Sequence, residues 1–232
     1  MLEDTVRLYP DVLSKGRVIE NGVGPVWFRD DVDTPGPGRE RYVLFVGRLA
    51  PAKGVDILLR AWQRVVPSSP ETSPVDRRIG PESEKLAVMA KELGILESVR
   101  FLGRKSQEEL LHLYRHAEVV ALPSRNEGMP FAVLEALASG AVTISTRIPG
   151  VAELIEDGVS GYLIETDSPD GLAARLMSAL KMCENEKRRM RDAARAMTRA
   201  RFSMDKMICA YLDLFASIVG GRARDRRVPA IP

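Results

Sequence analysis

The amino-acid sequence predicts an α/β fold built on a doubly wound parallel sheet. Three observations support this fold class. Short, continuous apolar runs recur along the chain, as in strands that are buried on both faces of a sheet. Stretches with apolar residues at helical spacing lie between these runs, and turn formers separate the two kinds of segment. Such alternation is typical of parallel strands that are joined by right-handed helical crossovers.

The first part of the chain is assigned element by element. Residues 1–40 contain many turn formers and predict an irregular lead-in with one short strand at 16–20. The run YVLFVG then predicts the first strand of the sheet, and VDILLRAWQRVV predicts the first helix. Residues 68–85 should hold the second strand, yet only Val75 and Ile79 are apolar in this segment. We therefore expect either a short, degraded strand or a loop there.

The remaining elements continue the alternation of helix and strand. A helix is stopped by Gly94, and Ser106 with Glu109 predicts a capping box at the start of the next helix. Ser168 and Pro169 predict an N-cap and a first-turn proline for a later helix. The segments assigned in this part are LAVMAKELGI (helix), SVRFLG (strand), SQEELLHLYRHA (helix), VVALPS (strand), AVTIST (strand), GVAELIEDG (short helix with a turn) and SGYLIE (strand).

The predicted domain limits follow from these assignments. They are an irregular lead-in at 1–40, an α/β domain at 41–202, a C-terminal helix at 203–221 and a basic, disordered tail at 222–232.

Composition limits the classes of function. The 232 residues are 45% hydrophobic and 28% charged with a formal net charge of +2, which is typical of a soluble globular protein and disfavours general nucleic-acid binding. No uncharged stretch is long enough to span a bilayer, and no secretory leader is evident. Cys183 and Cys209 lack the spacing of a metal site. We expect a cytoplasmic protein with reduced thiols.

The stretch NEGMPFAVLEALASGA, residues 126–141, predicts an anion-binding site. In open α/β sheets, ligands bind at the carboxyl ends of the strands, where helices begin. The strand VVALPS leads into this stretch, and its helix should begin near Pro130 or Phe131. Gly128 would let the backbone approach an anion closely. The first amide groups of the helix would then face a phosphate; they belong to Phe131, Ala132 and Val133.

The charged residues around this site suit a nucleotide-sugar. Glu127 precedes the helix and Glu135 lies one turn inside it, so two carboxylates could accept hydrogen bonds from hydroxyl groups on both flanks of a diphosphate. Arg48 and Lys53, in FVGRLAPAKGVD, follow another buried strand and should reach the same sheet edge. They could balance the charge of a departing nucleoside diphosphate. We therefore expect no metal and no further cofactor.

Six segments in order resemble the C-terminal, donor-binding half of family 4 glycosyltransferases, the retaining group with the GT-B fold and Rossmann-like domains. They are NGV (21–23), FVGRLAPAKGVDILLRAW (45–62), VRFLGRKSQEELLHLY (99–114), ALPSRNEGMPFAVLEALASG (121–140), IPGVAELIEDGVSGYLI (148–164) and FSMDKMICAYLDLF (202–215). The resemblance implies a hexosyltransferase-like enzyme of polysaccharide or glycolipid biosynthesis that uses a UDP-, GDP- or ADP-sugar without metal. It also implies that 1–40 includes part of an interdomain linker and that the N-terminal acceptor domain is absent.

The resemblance assigns roles to single residues. Glu127 matches the first glutamate of an E-x7-E motif, which faces the transferred sugar, and is the catalytic candidate. Glu135 matches the second glutamate, which binds ribose, and Arg48 with Lys53 matches the pair that contacts the diphosphate. The remaining donor-binding candidates are Gly47, the loop residues Leu102, Gly103, Arg104 and Lys105 beside the base, and the residues Gly128, Met129, Pro130, Phe131 and Ala132. The segment before Glu82 departs from the family, because it lacks the usual apolar strand and glycine turn.

Alternatives of another class are open at this point. The chain could be a non-catalytic module that holds a nucleotide-sugar and needs a separate acceptor-domain partner, or that self-associates. A nicotinamide-dependent oxidoreductase is disfavoured, because no G-x-G-x-x-G turn follows YVLFVG.

Three further features have a functional and a structural interpretation. His112 and His116, at i and i+4, could seat a metal but favour a packing or solvated role. The basic run 187–201 could contact an anionic membrane or a lipid-phosphate acceptor, which would place the protein at the inner face of the membrane. The favoured interpretation of this run is a solvated helix face. Apolar residues at helical spacing in 204–218 predict a packing face.

Overall fold

The computed structural model describes residues 16–30, 41–68, 72–76 and 82–225. Its centre is a six-stranded parallel sheet with the strand order β3-β2-β1-β4-β5-β6. The strands are β1 (Arg41–Phe45), β2 (Thr72–Asp76), β3 (Arg100–Phe101), β4 (Val119–Leu122), β5 (Thr143–Thr146) and β6 (Tyr162–Ile164). The direction of winding reverses between β1 and β4, so the predicted Rossmann-like, doubly wound parallel sheet is confirmed.

Helices cover both faces of the sheet. They are α1 (Val55–Val65), α2 (Ser83–Glu92), α3 (Gln107–His116), α4 (Phe131–Ser139), α5 (Pro169–Leu180), α6 (Glu184–Arg201) and α7 (Met204–Asp225). Helix α1 packs against α2 and α5, whereas α4 packs against α3 and α6. The central strands β1, β4 and β5 lie between these two layers, and β4 and β5 are buried along their whole length.

The uncertain second strand is a short strand. Strand β2 pairs in parallel with β1 from Arg41↔Thr72 to Phe45↔Asp76, and its last two residues pair with β3. A strand between two neighbours is held by its main-chain ladder on both sides, so few apolar side chains are needed to define it. Strand β3, at the edge of the sheet, has only two residues, and both are exposed.

Three local predictions are wrong. Residues 16–20 form no strand; pairing begins instead at Val23, whose amide donates to the Phe202 carbonyl oxygen at 2.9 Å. The segment GVAELIEDG forms turns and no helix, because the amides of Val151 and Ala152 both donate to the Ile148 carbonyl oxygen and the pattern does not continue as a helical ladder. Helix α7 continues to Asp225, beyond the predicted helix end at 221. The rest of the predicted tail, and most of the predicted lead-in, lie outside the described residues.

The predicted helix caps are confirmed. The Ser106 hydroxyl accepts a hydrogen bond from the Glu109 amide, and the Glu109 carboxylate accepts one from the Ser106 amide at 2.7 Å. The Ser106 amide, with the nearby Lys105 ammonium, holds the pKa of Glu109 at about 2. The Ser168 hydroxyl likewise accepts from the Gly171 amide at the start of α5. These caps fix where the chain leaves each strand and enters the next helix.

The two central strands bring two loops together at their carboxyl ends. The loop after β1 holds Gly54 with φ 66°, and a β-carbon at this position would lie 2.0 Å from the Pro123 carbonyl oxygen in the loop after β4. Only glycine allows this backbone conformation and this close approach. The two loops therefore meet at the point where the winding of the sheet reverses, which is the usual ligand position in open α/β sheets.

Candidate functional site

A cavity of about 260 Å³ lies at the carboxyl ends of β1 and β4. It brings together nine of the candidate residues: Gly47, Arg48, Lys53, Glu127, Pro130, Phe131, Ala132, Val133 and Glu135. Four further residues line it: Val46, Leu122, Ser124 and Ser145. The cavity therefore combines two cations, two carboxylates and the first turn of a helix within one concave surface.

Glu127 is held by two partners from the two central loops. Its Oε1 atom lies 2.5 Å from Lys53 Nζ and accepts a hydrogen bond of 2.8 Å from the Ser124 hydroxyl. Ser124 is buried, and its carbonyl oxygen accepts a hydrogen bond from the Thr146 hydroxyl on β5. The Glu127 side chain is only 13% exposed. These bonds fix the carboxylate at the cavity wall and place an ammonium group beside it.

The start of α4 has the geometry expected of an anion site. Pro130 is the N-cap residue with φ −75° and ψ 123°, and the helix begins at Phe131, as predicted. The Val133 amide donates to the Pro130 carbonyl oxygen at 3.2 Å, so this third amide is engaged in the helix. The amides of Phe131 and Ala132 are the ones that remain suited to an anion at this end of the helix.

Glu135 lies on the same helix and reaches the cavity from its second turn. Its Oε2 atom accepts a hydrogen bond of 3.1 Å from the hydroxyl of Tyr114 on α3. Arg48, by contrast, is exposed at the mouth of the cavity. The two predicted carboxylates thus line one cavity but have different partners, Lys53 and Ser124 for Glu127 and Tyr114 for Glu135.

Arg125 clamps the loop that carries Glu127 onto the first turn of α1. Its guanidinium donates to both carboxylate oxygens of Asp56 at 2.8 and 2.7 Å, to Asp167 at 2.6 Å and to the Pro51 carbonyl oxygen at 2.6 Å. Burial opposes ionisation of Asp56, but the hydrogen bonds and the charge of Arg125 outweigh burial and lower the pKa of Asp56. This clamp places Lys53 beside Glu127.

The clamp predicts a pH-dependent loss of stability. Asp56→Asn is expected to lower the free energy of unfolding at pH 7 by about 1–2 kcal/mol, between the values for exposed and buried ion pairs. Because the pKa of Asp56 is lowered in the folded state, its contribution is complete above the unfolded pKa near 4 and is lost as pH falls through the folded pKa. Urea unfolding at pH 7 and pH 3 measures both values.

Asp170→Asn is the matched control for this prediction. Asp170 also lies in the first turn of a helix, but it forms an exposed pair with Arg64. It should change stability little at either pH. A difference between wild type and Asp56→Asn that is equally large at pH 3 would show that the ion pair is not its origin.

Two groups of predicted donor-binding residues do not line the cavity. Gly128 and Met129 belong to the loop between β4 and α4, as predicted, but contact other segments. The Asn21 side-chain amide, for example, donates to the Met129 carbonyl oxygen at 3.0 Å. The loop predicted beside the base, Leu102, Gly103, Arg104 and Lys105, is also not among the lining residues in the described part of the chain. Lys105 forms an ion pair of 3.0 Å with Glu109. The role of these residues stays a prediction.

Four residues that shape the site are not among those predicted from the sequence. Ser124 and Arg125 lie directly before Glu127, at the end of a buried strand, and this position could have identified them. Asp56 and Tyr114 carried no such signal, because a first-turn aspartate and an apolar-face tyrosine are ordinary features of a helix.

The described residues include no group of three or more histidine, cysteine or carboxylate side chains that could hold a metal ion. The rings of His112 and His116 are in contact, with centroids 3.9 Å apart and an interplanar angle of 56°, and His116 is buried, so this pair is part of the packing of α3. Asp31 and Asp33 have the Asp-x-Asp spacing of a metal-binding motif, contrary to the expectation that the sequence holds none, and they lie outside the described residues.

Some basic side chains of helix α6 form internal contacts that stabilise the fold. Lys187 is buried and paired with Glu118, and Arg195 donates to the Phe28 carbonyl oxygen and lies 2.6 Å from Asp30. The solvated face expected for 187–201 is therefore only part of its surface. Among the helices in the described ranges, none is long and apolar enough to pass through a bilayer.

Comparison with known families gives one match over most of the chain. The family described as glycosyl transferases group 1 matches residues 29–197. The D-inositol 3-phosphate glycosyltransferase of Corynebacterium jeikeium is 37% identical over 147 residues, which cover 60% of this chain and 35% of that relative. The chain spans less than half the length of the curated relatives it matches.

Solved structures share the fold. HepE of Anabaena, crystallised with UDP-glucose, has a TM-score of 0.77 at 21% identity, over 87% of this chain and 57% of that one. The C-terminal domain of LpcC, a group 1 family protein of Francisella tularensis, has a TM-score of 0.66 at 21% identity, over 79% of this chain and 100% of that domain.

Proposed function

The chain belongs to the group 1 glycosyltransferase family, and from this premise we propose that it binds the nucleotide-sugar donor for a retaining, metal-independent glycosyl transfer of the family 4 type. One observation carries the proposal. The two carboxylates, the two cations and the start of α4 line a single cavity at the carboxyl ends of the central strands. A nucleotide-sugar has a matching order of groups: the hydroxyls of its ribose and of its sugar suit the two carboxylates, and the diphosphate between them suits the cations and the start of α4.

Each group of the cavity has a task in this proposal. The diphosphate lies over the first amides of α4, with Arg48 and Lys53 beside it. Glu135 accepts hydrogen bonds from the ribose, and Glu127 accepts them from the sugar. When the bond between the anomeric carbon and the diphosphate breaks, negative charge grows on the leaving group, and the two cations and the helix amides stabilise that charge.

The proximity of Lys53 and Glu127 adds a constraint to this mechanism. Lys53 Nζ lies 2.5 Å from Glu127 Oε1, so the ammonium can serve the carboxylate and an incoming phosphate at once through its three protons. A sugar attached to that phosphate would lie next to the Glu127 carboxylate. The pair therefore connects the diphosphate side of the cavity to the sugar side.

We further propose that these residues form the donor-binding half of a GT-B enzyme. The chain covers the full length of the solved C-terminal domain of a group 1 family protein. Helix α7 also exposes a continuous apolar stripe, formed by Ile208, Tyr211, Leu212, Phe215 and Ile218. Transfer needs an acceptor held against the anomeric carbon and a wall that excludes water, which a second domain facing the cavity would supply. That domain belongs to the same polypeptide or to a partner.

A binding module without catalysis is the second candidate function, because the cavity could bind a donor by itself, whereas transfer also needs an acceptor site and a wall that excludes water. Donor binding with transfer to an acceptor supports the enzyme. Donor binding without transfer, even when an acceptor domain from a family member is added, supports the module. Calorimetry with UDP, GDP and ADP and their glucose conjugates tests the binding that both candidates share.

Metal independence is a separate, testable prediction. We expect UDP to bind with the same affinity in EDTA as in magnesium, because Arg48, Lys53 and the start of α4 supply the positive charge. Arg48→Met with Lys53→Met should abolish this binding, because no other cation lines the cavity within the described residues. Binding that disappears in EDTA and returns with magnesium or manganese would contradict the prediction and would direct attention to Asp31 and Asp33.

A further inference from the structure

Tyr114 is the only completely buried tyrosine in the described part of the chain, and it points at the candidate site from behind. It lies on α3, which packs against α4. Its hydroxyl lies 3.1 Å from Glu135 Oε2 and 3.3 Å from the Ala132 carbonyl oxygen. A buried hydroxyl has to form a hydrogen bond, and its single proton favours the charged and closer acceptor, which is the carboxylate. Tyr114 therefore fixes one oxygen of Glu135.

The ring of Tyr114 is itself fixed by the segment before β1. Trp27 packs against it edge to face, with ring centroids 5.7 Å apart and an interplanar angle of 74°. Trp27 is buried in the short helix Pro25–Phe28, which packs on α4. Arg195 donates to the Phe28 carbonyl oxygen at the end of this segment. Tyr114 thus has no room to turn its hydroxyl away from α4.

A carboxylate that is fixed in this way is prepared for a ligand with adjacent hydroxyl groups. Its two oxygens can accept about four hydrogen bonds, so the bond from Tyr114 leaves capacity for others. The bond from Tyr114 contributes to ordering the flexible stem of Glu135 before a ligand arrives, so less binding energy is lost to ordering when the ligand binds. Part of the ordering of the Glu135 side chain therefore takes place when the protein folds, and not when the ligand binds.

We propose that Tyr114 is a positioning residue that holds Glu135 ready for the two hydroxyl groups of the nucleotide's ribose. The inference rests on the proposed function, in which Glu135 is the ribose ligand. It goes beyond that function, because it assigns the affinity for ribose hydroxyls to a side chain that never touches the ligand. Tyr114→Phe removes the hydroxyl and keeps the ring in its contact with Trp27.

The experiment compares binding of UDP and of its 2′,3′-dideoxy analogue by calorimetry, and the same pairs for GDP and ADP. Wild type should prefer the nucleotide with both hydroxyls, and Tyr114→Phe should lower that affinity by up to about tenfold, the cost of ordering one side chain on binding. The affinity for the dideoxy analogue should not change. Glu135→Gln should lose the same preference, and combining it with Tyr114→Phe should add little.

Tyr42→Phe is the matched control. The Tyr42 hydroxyl donates to the carbonyl oxygen of Leu113, the neighbour of Tyr114 on α3, at 2.8 Å. This variant also loses a tyrosine hydroxyl bond to the same helix, but it should keep the wild-type preference for ribose. If Tyr114→Phe resembles Tyr42→Phe while Glu135→Gln loses the preference, the positioning role is wrong. If wild type binds none of the three nucleotides, the proposed function fails instead.

Discussion

Replacement of Glu135 by alanine is expected to weaken binding of UDP by about 1.5–3 kcal/mol, the range for a hydrogen bond to a charged group. The physical reason is that Glu135 lines the cavity on α4 and offers a carboxylate one helical turn from the amides that would face the diphosphate of the proposed donor. UDP and UDP-glucose should lose the same free energy, because both contain the ribose.

Replacement of Glu127 by alanine should act on the other end of the donor. Binding of UDP should hardly change, since Lys53 exchanges its carboxylate partner for phosphate. Binding of UDP-glucose should weaken, because the carboxylate that would accept the sugar hydroxyls is gone. Calorimetry of both variants with both ligands separates the two roles. Equal losses for both ligands at both positions would show that the roles are assigned wrongly.

Gly150→Ala is expected to lower the free energy of unfolding by about 2–5 kcal/mol, the sum of a left-handed backbone cost and a forced backbone shift. Gly150 has φ 82°, and a β-carbon on it would lie 1.6 Å from the Gly128 carbonyl oxygen and 3.2 Å from that of Glu127. The turn after β5 therefore has to move away from the loop that carries Glu127. UDP-glucose binding should fall together with stability, as measured by calorimetry and urea unfolding.

Gly158→Ala provides the control for this substitution. Gly158 has φ 80°, yet no atom lies within 4 Å of the place where its β-carbon would be. The free energy of unfolding of this variant should fall only by the cost of a left-handed backbone conformation, about 1–2 kcal/mol. Its affinity for UDP-glucose should not change. A Gly150→Ala protein as stable as Gly158→Ala would mean that the loop yields without strain.

Much of the fold follows from local sequence patterns. The apolar runs of β1, β4 and β5 and the caps at Ser106 and Ser168 are local signals, and each is confirmed. The local signals fail where long-range contacts decide. Residues 16–20 have no pairing partner in the described structure, whereas Val23 finds one at Phe202. Strand β2 forms despite its poor apolar pattern, because β1 and β3 pair with it on both sides.

The position of the candidate site was also accessible from the sequence. Parallel strands present their carboxyl ends at one edge of a sheet, so residues that follow different strands have to meet there. Arg48, Lys53, Glu127 and Glu135 line one cavity for this reason. Which part of a donor each one binds stays a prediction, as does the role of the loop at 102–105.

The sequence by itself determined most of the succession of strands and helices along the chain, the start of α4 and the edge at which the charged residues collect, because these depend on periodicity, capping and the direction of parallel strands. Only the tertiary structure decided the partners of the site: Lys53 with Glu127, Arg125 with Asp56, and Tyr114 with Glu135. These pairs are 74, 69 and 21 residues apart. Their hydrogen bonds depend on distances of a few ångströms between packed elements, and no local pattern specifies such distances.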